Sequence, residues 1–457
     1  MACGLGEPPF DGQLLRAISP WGIAILARES ILWGNEFRTP EIAEKDIRRM
    51  FELFNSVNSG KSAPTSEYLH GAMLRYADEQ CPYQESSFEE VSRTQVLLID
   101  GAEEIATEVI DAQFWHALLG APLPQVVGAT FLLSVGAFQN NGNFSLDWLN
   151  RPDLSALTQA WPLEAIERTV ARISGTSEDF KAAWDAAPSP SEGLERWAFN
   201  PLTVMPFLRQ PDGQFLAPVP QLILRTVTPA NLYYPAIKVG GQAFGRDLGH
   251  LTEHYVGKQL KSMSGSQVHP EVAFKVGRDN KKSIDWFVIF DDLVLLIEVK
   301  SARFGLLART GDTGFEDTLR VTIDKAVKQI ERTNEALDAS TAAFEHIPTD
   351  RPRIGIVVTV EPFYLANSTW TRDLLHTPKL PILVASLREV EYMVSLDPSA
   401  VALQLKKIVA DIDLSTWALH DALRGLPQVN DNPVLQAAWD AYPWPDFDSV
   451  EGLSGSL

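Results

Sequence analysis

Asp285, Glu298 and Lys300 stand in a stretch, "IDWFVIFDDLVLLIEVK" (residues 284–300), that is otherwise built from Ile, Trp, Phe, Val and Leu. A turn at Asp291 and Asp292 pairs Phe290 with Leu293, and counting outward sets Asp285 opposite Glu298. Directly opposed residues share one sheet face with Cβ atoms about 5 Å apart, and residues two apart on a strand share a face, so Lys300 joins them. Two opposed carboxylates repel and lose hydration, unless a cation or a shared proton compensates. A hard divalent cation does this, because Mg²⁺ is held through one or two carboxylates together with substrate phosphates. A lysine beside it can orient a water or neutralise charge on a pentacoordinate phosphate. The chemistry that suits this spacing is metal-assisted hydrolysis of a phosphate ester. The plainer alternative is that Asp285 opens a strand at a solvent edge while Glu298 and Lys300 form a surface ion pair.

A second arrangement competes. Residues 250–254 spell His-Leu-Thr-Glu-His, the H-x-x-E-H order of inverted zinc proteases. On a helix His250 and His254 share a face, as a zinc pair needs, with Glu253 as general base and Glu331 or Glu335 as a distant third ligand. That reading leaves Asp285, Glu298 and Lys300 without a task. "NSVNSGKS", from Asn55, is a near miss to a phosphate-binding loop, but Asn55 replaces the first Gly and a helical pattern precedes it.

The elements around these residues follow from periodicity. "AFGRDLGHLTEHYVGKQL" puts Phe244, Leu248, Leu251 and Tyr255 on one helical stripe. After the hairpin come a loop, "RFGLLARTGDTGFED", and a helix from about Thr318 to Ala339. "IGIVVTV" from Ile354 and "LPILVASL" from Leu380 read as buried strands. Earlier, "FLRQPDGQFLAPVPQLIL" from Phe207 reads as a hairpin closed by Pro211, Asp212 and Gly213. Patterns such as "EIAEKDIRRMFELFNSV" and "LEAIERTVARI" make the N-terminal part mostly helical, up to a Pro/Ser-rich linker near Ala186. The expected organisation is a helical accessory region, 1–195, that could meet a protein partner; a mixed α/β unit, 196–395; and a helical extension, 396–457.

Composition narrows the class. The 457 residues, 45% hydrophobic, suffice for a large buried core. "VVGATFLLSVGAF", from Val126, is too short for a bilayer of about 30 Å and reads as a buried helix. The N-terminal stretch has no basic segment followed by an apolar run, and only Cys3 and Cys81 are present, which fits a reducing cytoplasm. The net charge of −20 argues against a general nucleic-acid coat. Its distribution is uneven: residues 237–335 hold 15 Lys and Arg against 14 Asp and Glu, a net of +1, leaving 24 against 45 elsewhere.

Asp285 followed by Glu298-Val299-Lys300 resembles the PD-(D/E)XK, or restriction-endonuclease-like, nuclease superfamily over roughly residues 240–390. The resemblance implies a mixed-sheet core in which Asp285, Glu298 and the carbonyl of Val299 hold Mg²⁺ or Mn²⁺ and Lys300 serves catalysis. Glu253 matches the acidic residue that relatives add from a preceding helix, and Gln329 matches the glutamine that RecB-type members place on the following helix. Position 333 is Thr where a Tyr often stands, and no Pro precedes Asp285. The implied activity is phosphodiester hydrolysis in nucleic acid, DNA favoured, of the sort used in bacterial restriction or antiphage defence. The alternative is a non-catalytic binding module of the same fold. The expected approach for the polyanion runs along Lys258, Lys261, Lys275, Arg278, Lys281 and Lys282 on one side, and Arg303, Arg309, Lys325 and Lys328 on the other.

Overall fold

The computed structural model describes residues 18–35, 42–56, 66–276, 278–301, 303, 305–309, 314–339, 342–442 and 444. The N-terminal stretch through residue 17, most of the phosphate-loop-like stretch and most of the Trp/Pro-rich tail lie outside them. The protein is mixed α/β. Six helices matter for the site: α1 (Ser66–Gln80), α2 (Ser87–Thr94), α3 (Leu123–Gln139), α4 (Pro229–Lys261), α5 (Lys325–Asp338) and α6 (Leu387–Met393). The central sheet has five strands: β1 (Gln267–Pro270), β2 (Trp286–Phe290), β3 (Leu293–Lys300), β4 (Arg353–Thr359) and β5 (Ile382–Ser386).

Their order is β5-β4-β3-β2-β1. β3, β4 and β5 run parallel, whereas β2 pairs antiparallel with both β3 and β1. The hairpin register is the one counted from the sequence, Phe290 opposite Leu293 and Trp286 opposite Ile297. β3 and β4 are buried on both faces, so alternate residues serve separate cores. Leu295, Ile297 and Val299 face Leu248, Leu251 and Tyr255 of α4, while Val294 and Leu296 face Val327 and Ile330 of α5. The first core also takes in α3, α6 and residues as far as Tyr442.

The apolar stretch around Val126 is the buried helix α3, and no single described helix is long and apolar enough to cross a membrane. The Phe207 hairpin forms as expected, Phe207–Arg209 against Phe215–Leu216, with Gly213 at φ +84° in the turn. Two elements differ from the periodicity. Helix α4 begins at Pro229 and breaks at Gly241 before the expected stripe. The helix read from Thr318 starts at Phe315 and passes through a π-helical stretch, Arg320–Asp324, before α5.

Candidate active site

β2 starts only at Trp286, while β3 continues to Lys300, so the last residues of β3 have no strand beside them on that edge. A ladder that stops early strands a backbone donor, and the sequence answers with Asp285, whose Oδ2 accepts from Val299 N at 2.7 Å. Trp286 fixes the opposite wall. Its indole Nε1 donates to Glu253 O at 2.9 Å, and its ring lies where a Cβ on Gly257 would stand 2.1 Å from Cζ2, so only glycine lets α4 approach. Glu253 is thereby held at the opening where β2 is missing.

Glu298 and Lys300 follow Val294 and Leu296 onto the face covered by α5. Glu298 is 2% exposed, and Lys300 Nζ donates to its Oε1 at 2.5 Å and to Gln329 Oε1 on α5 at 2.8 Å. The surface ion pair offered by the plainer sequence reading is therefore a buried one. The other Glu298 oxygen, Oε2, is buried without a hydrogen-bond partner among the described residues. Burial raises the pKa values of Glu253, Asp285 and Glu298, with repulsion from Asp285 the next cause for both glutamates; Glu253 is pushed up to about 7. These carboxylates resist ionising together, and the lysine offsets the resistance only in part.

The structure thus brings together Asp285, Glu298, Val299, Lys300, Gln329 and Glu253. It adds two residues that motif reading missed. Thr333, in the position noted for lacking a Tyr, is fully buried and its Oγ1 accepts from Ile284 N at 3.1 Å, fixing the backbone next to Asp285. Glu271 lies close enough to raise both Glu253 and Asp285, and pairs with Lys282 at 2.8 Å. Thr333 was recoverable as a buried hydroxyl on the inner stripe of α5. Glu271 carried no sequence signal, since it arrives from an irregular segment before a small ribbon, Ala273–Val276 paired with Asp279–Lys282.

Fit to a divalent ion rests on the donor set. Among the described residues no group of three or more His, Cys, Asp or Glu side chains is arranged to hold a metal. Two carboxylates with backbone and water oxygens meet the needs of Mg²⁺ without such a group, and Glu298 Oε2 is a hard donor with no hydrogen-bond partner among the described residues. The zinc arrangement fares worse. His254 Nε2 is engaged by Glu104 Oε2 at 2.7 Å, Glu331 binds His376 and the Lys379 backbone N, and Glu335 pairs with Lys379. Glu331 and Glu335 also sit on α5, across the sheet from α4.

The basic residues divide. Lys275, Arg278 and Lys282 on the ribbon, and Lys325 and Lys328 on α5, are exposed. Arg320 and Arg332 line the same concavity as Lys325, Lys328 and Gln329, extending that side beyond what was expected. Lys281 is half-buried beside Asp279, Lys258 pairs with Glu104 at 2.7 Å, and Lys261 lies over the Trp286 ring. Arg303 departs from its expected place on the substrate path: its side chain is 2% exposed and donates to Glu361 Oε1 at 2.6 Å and to Pro229 O. Arg309 joins the same carboxylate at 2.8 Å. No family model, curated protein or solved structure matches the chain.

The raised carboxylates have a measurable consequence. A group whose pKa is higher folded than unfolded contributes stability that is full below the unfolded value and is lost as pH rises through the folded one. In EDTA the melting temperature should therefore fall as pH rises from about 4.5 through about 7. Magnesium should restore more at the upper end of that range than at the lower, because protons compete for the same oxygens. A melting temperature in EDTA that climbs across this window would contradict the assigned shifts.

Proposed function

We propose that the chain is a divalent-metal-dependent nuclease that hydrolyses phosphodiester bonds, DNA favoured, on a restriction-endonuclease-like core. The observation that carries this reading is the cluster of three carboxylates, Glu298 buried and Glu253 and Asp285 half-buried, raised by desolvation and mutual repulsion beside the Lys300–Gln329 pair. The element order supports it: helix α4, an antiparallel hairpin, helix α5 and a parallel strand, with the acidic residues at the hairpin's open end.

In this reading Asp285, Glu298 and the Val299 carbonyl would hold Mg²⁺ or Mn²⁺. When bound there, such an ion would supply Lewis acidity toward a phosphoryl oxygen and lower the pKa of a nearby water. Asp285 is oriented for binding by the Val299 N–H, which leaves its second oxygen for other partners. Glu253, with its pKa near neutrality, can take the proton of the attacking water. Lys300 Nζ is held between Glu298 and Gln329, where it can neutralise charge developing on the phosphate. Bacterial restriction or antiphage defence is the setting in which such a chain would act.

The test is incubation with plasmid, linear duplex and single-stranded DNA, and with RNA, in Mg²⁺, Mn²⁺ or EDTA, alongside Asp285→Ala. Metal-dependent cleavage lost in the variant is expected; no cleavage of any substrate by the wild type would leave the binding-module reading ahead. Each phosphate contact adds to the salt dependence of binding, so removing Lys275, Lys282, Lys325 and Lys328 together should flatten the slope of log affinity against log salt by several units. An unchanged slope would mean these lysines are merely solvated.

A further inference from the structure

Beyond the carboxyl ends of β3 and β4 lies a cavity of about 90 Å³, several times the 10–15 Å³ that one water requires. Its walls come from α1, α2, the start of α4, the segment after β4 and the segment after β3. Thr359, the last residue of β4, is paired with Lys300, and Glu361 of the cavity wall is two residues further on, so cavity and candidate site are neighbours. In open α/β sheets, ligands gather outside the carboxyl ends of the strands.

The lining is polar in an uneven way. Four carboxylates and three guanidinium groups face it, a balance of −1, which suits neither a bare dication nor free phosphate. Glu361 is committed to Arg303 and Arg309. Glu90, however, is 6% exposed and has no side-chain hydrogen bond among the described residues. Asp78 also lacks one, although Arg309 and Arg225 are close enough to lower its pKa against the larger effect of burial. The Arg225 guanidinium donates to Pro82 O, has no other hydrogen bond among the described residues, and is the positive charge that acts most strongly on Glu90. Two carboxylates lacking donors and a guanidinium with donors to spare around one space describe the complement of the missing occupant. It must present at least two N–H donors on one edge and acceptors on another, with a flat face for Tyr364.

We propose that this cavity binds a guanine base, its N1–H and N2 amine meeting Asp78 and Glu90 and its O6 and N7 meeting Arg225. Adenine and cytosine place one exocyclic amine beside a ring acceptor on the pairing edge, which sets that acceptor against one of the two carboxylates; arginine against O6 and N7 is a favoured guanine contact. The choice of a base over other small ligands rests on the nuclease reading of the adjoining site. Two sources share this chemistry, a base of the polynucleotide being cut and a free guanine nucleotide that regulates the enzyme.

The test is calorimetric binding to the full chain in EDTA, with GMP, AMP and short oligonucleotides containing either one guanine or none. EDTA removes cleavage from the readout, so failure here is separable from failure of the nuclease reading, which is scored in Mg²⁺. Preference for guanine over adenine by about tenfold or more is expected, and Glu90→Gln, which replaces an acceptor by a donor at constant size, should abolish it. Asp78→Asn gives the same reading should Glu90→Gln fail to fold. Tighter binding of the guanine oligonucleotide than of GMP assigns the base to the substrate; GMP binding that no oligonucleotide competes assigns a regulator. Equal binding of GMP and AMP, no binding of any guanine probe, or selectivity that survives both substitutions would overturn the proposal.

Discussion

Lys300→Ala should lower kcat by about 10²-fold or more, roughly 3 kcal/mol, while metal affinity and nucleic-acid binding in EDTA stay within a few-fold of wild type. The size follows from where the ammonium is held. Glu298 Oε1 and Gln329 Oε1 fix Nζ from two sides, so its charge needs little reorganisation when charge develops on a phosphate. A different outcome follows if Lys300 only offsets repulsion between Asp285 and Glu298. Removing it would then leave Glu298 with both oxygens unpartnered, raise its pKa further and strengthen its demand for a metal. In that case metal affinity rises and turnover at saturating Mg²⁺ is preserved. Gln329→Ala helps to separate the two, because it loosens Nζ without removing charge; a catalytic lysine predicts a smaller loss in kcat with KM unchanged. Near wild-type turnover by Lys300→Ala would remove the lysine from the catalytic assignment.

Much of this site was legible before any coordinates. The Asp291-Asp292 turn and two apolar runs on either side leave one sensible register, and a period of two then decides which side chains share a face. Motif order matched Gln329 to a glutamine on the following helix without setting it against Lys300, and Thr333 departs from that motif; in the structure Gln329 Oε1 accepts from Lys300 Nζ, and the Thr333 hydroxyl takes a backbone N–H next to Asp285. What the sequence hid depends on contacts between distant residues. Arg303 reads as a free cation near a polyanion site until Glu361, 58 positions later, is brought against it. The cavity beyond β4 is assembled from segments far apart in the chain, and no local pattern marks Glu90 or Asp78 as unpartnered. Glu271 is invisible for the same reason.

Glu391→Ala should destabilise the protein by about 3–5 kcal/mol, the largest stability effect expected of any single substitution considered. Glu391 on α6 is 4% exposed and accepts from Arg93 Nε at 2.7 Å and Nη2 at 2.8 Å, while the Tyr255 hydroxyl donates to the same carboxylate at 2.6 Å. Gln259 reaches Tyr255 Oη, and Asn432 donates to both Gln259 Oε1 and the Glu391 carbonyl. One buried network therefore ties α2, the site-bearing half of α4, α6 and the C-terminal segment. Burial alone would lower the Arg93 pKa, yet the charges of Glu391 and Glu85 hold it well above the ordinary value. Removing Glu391 leaves a buried guanidinium whose one remaining hydrogen-bonded carboxylate among the described residues is Glu85, at 3.4 Å, and it is this poorly compensated charge that sets the cost. The double substitution Arg93→Met with Glu391→Leu removes both charges and fills the space, so it should be far milder than the single change. Urea unfolding is the measurement: a lower midpoint at unchanged slope for Glu391→Ala, with much of the loss recovered in the double variant, is expected. Equal losses in single and double variants would show that the network's hydrogen bonds and shape, rather than its paired charges, hold these four elements together.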